Sequence, residues 1–430
     1  MEYRQRPYKD EQPGRPGSSR VAGGLLNRMG KVQGMDRELG VRPARTLAIA
    51  CVLYALSIIL INIAPFFVGL YVDTLHISLS EAGFVQTIDQ AGGIVGAVLG
   101  FFLMPRLSWR TLAFFAALVA TIANAATALA DSYVLLCLIR FVAGFGVVLL
   151  TTVSACALAR ARVPDRAFGA GLTLGMLLSA VAIWVLDAIR SDFGYSASLA
   201  SGALWLFVAA GLALLLPREL RGRTHKAGAF GADLEQSNVR VLGKVGLLAL
   251  LLFSISANVG FSFTERVGLD NGLEPSAIAS SFAIGCIFSV AGCLMPTIFG
   301  AAGGRIKWLV ITTALFIISL WLFYIATNVT LYVVAFSIYL SVFNMGLAYY
   351  MSVVAENDPE EHYTRAIYIV NVTAQSLGPA IGALILIGYP IAAVFLIAPI
   401  PAVGALILVA YYTSRQSHNL AASLYNRLKT

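Results

Sequence analysis

Three ionisable residues stand inside long apolar runs of this sequence: Asp89 in TIDQAGGIVGAVLG, Arg140 in LLCLIRFVAGFGVVLLTT, and Glu265 in SFTERVG. A guanidinium keeps its proton in any protein environment. Placing one in hydrocarbon costs at least about 2.5–3.5 kcal/mol, so such a residue faces a partner or a wet cavity. Asp89 shares a helical face with Gly93, Gly96 and Gly100, and a stripe of glycines packs against another helix. Counted from the nearer end of its helix, Asp89 is roughly 12 Å deep and Arg140 roughly 9 Å deep. The two are therefore expected to pair or to share a water. Desolvation raises a carboxyl group's affinity for a proton and a neighbouring cation lowers it, so a site that changes either influence as it opens can load and release a proton. The pair reads either as a coupling site of this kind or as a lock between two helices. Glu265 is a candidate for the same proton chemistry. It and Arg266 sit where a helix ends, as a solvated terminus or a gate, and as sequence neighbours they are not expected to pair. Asp187 and Arg190, three apart, are expected to pair locally.

Uncharged polar residues form stripes at helical spacing. Ser254, Asn258, Ser262 and Glu265 recur at i, i+4, i+8 and i+11, as do Thr364, Tyr368, Asn371 and Gln375 at i, i+4, i+7 and i+11; Ser337, Ser341 and Asn344 make a third stripe. Asn62 stands beside Pro65, and Thr151 and Thr152 lie on the helix of Arg140. Such groups are penalised against lipid, so they face other helices or a hydrated path. Asn62, Thr151, Thr152, Ser254, Asn258, Asn344, Tyr368, Asn371 and Gln375 are the candidate substrate-binding residues, with interhelical hydrogen bonding as the competing role. Tyr349, Tyr350 and Phe263 could stack on a substrate or serve as packing.

The elements that position these residues must cross a membrane. Of 430 residues, 58% are hydrophobic and 12% are charged, against roughly 25% charged in a soluble domain. Twelve apolar stretches reach the ~20 residues that span a bilayer: 47–72, 81–104, 111–130, 134–158, 167–190, 196–216, 244–265, 275–298, 307–326, 331–355, 363–388 and 390–412. The polar, basic stretch 217–243 divides them six and six. The expected fold is an all-α membrane protein of 12 transmembrane helices in two pseudo-symmetric six-helix bundles, 47–216 and 244–412. Residues 1–46 and 413–430 read as tails, the first basic and disordered, without the apolar core of a signal peptide. Placing both termini and the linker in the cytoplasm puts 27 of the 30 Lys and Arg on that side, leaving Arg140, Arg190 and Arg266. Such scattered basic residues speak for topology and against nucleic-acid binding. The acidic residues Glu356, Asp358, Glu360 and Glu361 read as a solvated turn.

Several classes of function are disfavoured. No G-x-x-x-x-G-K-[ST] loop suggests an ATP-driven pump. The five cysteines all lie in apolar stretches without CxxC or Cys/His spacing, and the four histidines form no ligand pair, so no metal, no cofactor and no enzyme chemistry is expected. The linker and the tail after residue 412 are too short to carry a sensor domain.

Arg140, Gly144 and Gly146 resemble the Arg-x-x-x-Gly-x-Gly signature on the fourth helix of major facilitator superfamily transporters, most of all the proton-coupled drug-efflux branch. The turn between the second and third helices keeps Gly100, Arg106 and Arg110 of that family's other signature but lacks its acidic residue; the corresponding turn in the second half is Gly300–Lys307. The turn Glu265–Ser276 is similar to one in uncharacterised alphaproteobacterial members. The resemblance implies alternating access between the two bundles, a cavity lined by helices one, four, seven and ten, a bacterial inner (plasma) membrane location, and a monomer exporting a small organic molecule against protons. Uptake of an organic acid, sugar or siderophore by symport is the second expectation.

Overall fold

Helix starts are written into the chain by side-chain caps. The Ser78 hydroxyl accepts from the Glu81 N–H while the Glu81 carboxylate accepts from the Ser78 N–H, a reciprocal box. Ser108, Ser132 and Asn328 each accept from the N–H three residues on. The computed structural model describes residues 43–104, 106–161, 164–217, 236–299, 304–357, 363 and 366–429. Residues 1–42 of the expected tail 1–46, most of the linker (218–235), the Gly300–Gly303 turn, Asp358, Glu360, Glu361, Thr364 and Arg365 lie outside the described residues, and residues 43–46 begin the first helix.

The helices are α1 Pro43–Asn62, α2 Ala64–Leu75, α3 Leu79–Leu103, α4 Trp109–Ala126, α5 Tyr133–Ala159, α6 Pro164–Ala200, α7 Gly202–Ala213, α8 Gln236–Phe261, α9 Thr264–Asp270, α10 Pro275–Phe299, α11 Arg305–Ile325, α12 Val329–Glu356, α13 Ile367–Gly388, α14 Ile391–Ile397 and α15 Pro399–Lys429. No strand occurs among the described residues. Pro43–Thr46 is the described part of a first unit; the second, Leu47–Thr430, holds every contact described below.

Ten helices among the described residues are long and apolar enough to cross a membrane. The path nevertheless makes twelve passes. α3 has the length to span, but its hydropathy is diluted by Gln86, Asp89 and Gln90, all of which point into protein. The sixth pass is the stretch after Gly194, whose φ of 82° turns the chain within α6, continued by α7.

Four spans expected as unbroken helices are divided, the sixth span at Ser201 between α6 and α7. The first breaks at Ile63, where Pro65 in the first turn of α2 brings no N–H to the ladder. The seventh breaks between Phe261 and Thr264, and the twelfth at Ala398, ahead of Pro399. Two other boundaries also differ: α8 begins inside the expected linker, and α15 carries the expected tail as helix to Lys429.

Within the first half α5 packs on α3 and α4; within the second α12 packs on α10, α11 and α8. The halves meet along two seams, α3 against α13 and α6 against α10. At the end of the bundle marked by His76 they also meet directly. Phe66 is edge-on to Phe282 with ring centres 5.3 Å apart, the Ser80 hydroxyl donates to the Ala383 carbonyl at 2.8 Å, and Phe263 is wedged between Gly83 and Gly382. Phe263 thus serves as packing between the halves. Tyr349 stacks on Trp308, and Tyr350 lies 4.9 Å from Phe253, so these expected stacking residues are packed on protein too.

Candidate functional site

Arg140 lies in the middle of the first half, 4% exposed, held by three other helices. Its Nη2 is 3.1 Å from Asp89 Oδ1 on α3, and its Nη1 donates to Asn124 Oδ1 on α4 at 2.8 Å. Its guanidinium carbon lies 5.7 Å from the ring centre of Phe67 and 6.0 Å from that of Tyr71, both on α2. Asp89 is 8% exposed. The structure thus brings Asp89 and Arg140 together, away from lipid.

The glycines beside Arg140 explain how four helices converge so tightly. A Cβ on Gly144 would collide with the Asp89 main-chain carbonyl; one on Gly146 would come within 2.7 Å of the Ala120 nitrogen on α4. Two residues apart, they face different neighbours, so one short motif admits two backbones. Asn124, Phe67 and Tyr71 were missed in the sequence. Asn124 had a signal, as an amide inside an apolar span; the two aromatics had only their i, i+4 spacing.

A second charged cluster lies at the His76 end. Arg266 Nη2 is 2.9 Å from Asp73 Oδ1 at the end of α2, and the same guanidinium donates to the Gly69 carbonyl. Its Nε is 3.1 Å from Glu265 Oε2. This corrects the expectation that Glu265 and Arg266 would not pair. The helix is broken just before Thr264, both residues fall in the first turn of α9, and the long arginine side chain folds back. Nor is this a solvated terminus, since Glu265 is 4% exposed. Asp187 and Arg190 pair on α6 as expected. With Phe66, Leu70, Ile183, Leu186 and Ala279, the residues Asp73, Asp187, Arg190 and Glu265 line a small, partly open recess. Three carboxylates face two guanidiniums here, leaving one formal negative charge in excess. Asp73 was missed because it falls just beyond the predicted first span.

The polar stripes are spent largely on the protein itself. Asn62 donates to Ser179 Oγ at 3.0 Å, tying the first span to the fifth. The Thr151 and Thr152 hydroxyls donate to carbonyls one turn back, as do the amides of Asn258 and Asn344. Tyr368 packs on a cluster of Ala97, Val148 and Val372 drawn from both halves. Ser254 Oγ, Asn371 Oδ1 and Gln375 Oε1 are different: they are buried with no hydrogen-bond partner. Asn258 packs on Gly378, which places α8 and α13, the helices of these three groups, side by side. Buried polar atoms left unpaired call for a water or a ligand to complete them.

Comparison with known proteins agrees with this architecture. No curated protein matches the sequence. Among solved structures, a single-residue mutant of the nucleoside transporter NupG superposes with a TM-score of 0.69 at 14% identity, over 86% of this chain and 99% of that one. The POT family transporter PepTSo gives 0.65 at 12% identity over 88% and 99%. A bacterial homologue of the human lysosomal transporter Spinster, inward-facing and unoccupied, gives 0.57 at 14% identity over 86% and 95%. At these identities the likeness is one of fold. A sequence profile described as Major Facilitator Superfamily matches residues 47–383, from the first span into the eleventh. Two six-helix halves, a buried Arg140 signature and that match lead to one assignment: the chain is a multi-pass membrane transporter, not an enzyme, and belongs to the Major Facilitator Superfamily.

Proposed function

We propose that this transporter couples the movement of a small organic molecule to protons, with Asp89 as the proton-carrying group and Arg140 as its counter-charge. The observation that carries the reading is the ion pair itself, 3.1 Å apart and buried among four helices. Burying two charges is expensive, and a pair of this kind is no reliable source of stability. A carboxyl that gains a proton gives up its claim on the guanidinium, and the helices it joins are then free to repack. Glu265, in the recess with one carboxylate too many, is the second proposed proton group.

The positive-charge bias supports cytoplasmic termini with the His76 end outside, and the family resemblance supports a bacterial inner membrane. The state described here is then closed outward. The chain works as a monomer, and the direction is export by proton antiport, supported by the resemblance of Arg140, Gly144 and Gly146 to the drug-efflux signature. Substrate binding falls to the unpaired groups Ser254, Asn371 and Gln375, with Asn258, Asn344, Asn62, Thr151, Thr152 and Tyr368 around them. These uncharged groups also support a second reading, uptake of a hydroxyl-rich solute such as a sugar. The solved nucleoside transporter with the same fold keeps that reading open.

The test begins with a thermal-shift screen of purified protein against metabolites and drugs at two pH values, since a ligand that binds the folded state raises its apparent stability. A stabilising compound is then added to everted vesicles holding an acid-inside gradient. Antiport collapses the gradient on addition of substrate, and Asp89→Asn abolishes that response while leaving the protein folded. Full gradient-driven activity in Asp89→Asn would remove Asp89 from the mechanism.

A further inference from the structure

The two charged sites are joined by a single short element. α2 is set off from α1 by the break at Ile63 and runs only from Ala64 to Leu75. Phe67 and Tyr71, one turn apart, lie against the guanidinium of Arg140. Gly69 and Asp73, also one turn apart, meet α9: the Gly69 carbonyl and the Asp73 carboxylate both hold Arg266, and Glu265 presses on Gly69, where a Cβ would strike its carboxylate. The two sets are offset by two residues, about 200° around a helix, so they occupy opposite faces. One face of α2 meets the guanidinium of the first half, and the other meets α9 of the second.

We infer that α2 is a relay, with Phe67 and Tyr71 as positioning residues that transmit the state of the Asp89–Arg140 pair to the closure between Asp73, Gly69 and Arg266. This inference rests on the proposed role of Asp89. The aromatic faces attract the guanidinium through their quadrupoles. While Asp89 is ionised, Arg140 is held between it and Asn124 and offers a fixed surface to the rings. Neutralising Asp89 leaves Arg140 with Asn124 and the two rings, so the guanidinium moves towards α2 and shifts it. The Tyr71 hydroxyl is buried without a hydrogen-bond partner, so nothing polar pins that ring against such a movement. A shift of α2 displaces Asp73 and the Gly69 carbonyl from Arg266 and loosens the His76 end. The charged and titratable groups facing Asp89 are Arg140 of α5 and Tyr71 of α2. Those facing Glu265 are Arg266 on its own helix, Asp73 of α2, Asp187 and Arg190 of α6, and Tyr332 of α12.

The experiment needs no substrate. Spin labels on Asp131→Cys and Thr327→Cys, exposed turns of opposite halves at the His76 end, report the width of that end by pulsed electron resonance. The labels are placed in a background without native cysteines, in lipid nanodiscs, at about pH 8 and about pH 5. Infrared difference spectra of the same samples follow the protonation of Asp89, identified as the carboxyl band missing in Asp89→Asn. The parent is expected to shift its distance distribution with pH and Asp89→Asn to show one distribution at both. Phe67→Leu with Tyr71→Leu should lose the shift while the Asp89 band still titrates, and Tyr71→Phe should keep it, because the ring face remains. A double leucine variant that retains the full shift overturns the relay alone. A shift that survives Asp89→Asn, or a parent that shows none, overturns the role of Asp89 and the relay with it.

Discussion

The two halves of this transporter share one packing device and differ in what they put beside it. Arg140 lies eight residues after the N-cap Ser132, and Phe336 eight after the N-cap Asn328. Asp89 lies eleven residues after Ser78, and Gly285 eleven after Glu274, the residue before α10. Where the first half sets Asp89 against Arg140, the second sets Gly285 against Phe336. Around Phe336 stand Phe323, Tyr332 and Phe282, with ring centres 4.7, 5.3 and 5.4 Å away. One half therefore has an ionic centre at the position where the other has an aromatic one. Aromatic packing of this kind does not respond to pH, whereas an ion pair does, through its carboxylate. At these matched positions the contrast assigns switching to the first half and a fixed frame to the second, whose proposed proton group, Glu265, stands in the recess instead.

The largest predicted effect comes from breaking the ionic centre. Arg140→Met leaves Asp89 without its cation and should cost about 2.5–3.5 kcal/mol, the scale of one uncompensated charge at membrane depth. Arg140→Met combined with Asp89→Asn should recover most of that loss, because removing both partners leaves no orphan. Thermal unfolding midpoints of the two single variants and the double variant close the cycle. A double variant no more stable than Arg140→Met would show that the pair is not the energetic unit of this half.

The sequence carried the ionic centre further than it carried its surroundings. Asp89 and Arg140 were legible because charges in apolar runs have few places to go, and their depths follow from residue counts alone. The glycine face of α3 was legible for the same reason: periodicity names a face. Periodicity does not say whether the groups on that face are already satisfied. Thr151, Thr152, Asn258 and Asn344 looked like a free polar lining and are bonded to their own helices. Nor does local spacing foresee a helix break. The gap between Phe261 and Thr264 lets Arg266 reach Glu265, and Asp73 joins them only once the first and seventh spans are folded together.

A smaller effect should be equal in the two halves, and its equality sharpens the contrast. Gly96 lies against the carbonyl of Phe145, and Gly292 against that of Ser341. Each pair sits at matching distances from its helix starts, eighteen residues for the glycines and thirteen for their partners. A methyl group at either glycine strikes backbone, which cannot rotate away. Gly96→Ala and Gly292→Ala should therefore each cost about 1–3 kcal/mol, the usual range for overpacking. Gly211→Ala, where a Cβ meets nothing within 4 Å, is the control with no measurable loss. Unequal losses at the two glycines would mean that the halves do not share the device.

The smallest effect tests the fixed frame. The Tyr339 hydroxyl donates to the Ala257 carbonyl at 2.5 Å, and the Tyr332 hydroxyl donates to the Thr264 carbonyl, so the two tyrosines of α12 hold the seventh span on either side of its break. Each bond joins neutral groups, and the carbonyl that loses it can keep a partner within its own helix. Tyr339→Phe should then cost about 0.5–1.5 kcal/mol, the net worth of one neutral hydrogen bond. The loss should be the same at about pH 5 and about pH 8, because a phenol keeps its proton throughout that range. Measured in the same lipid, a pH-dependent loss in Tyr339→Phe would show that the aromatic centre also responds to protons, and the division of labour between an ionic centre and an aromatic one would fail.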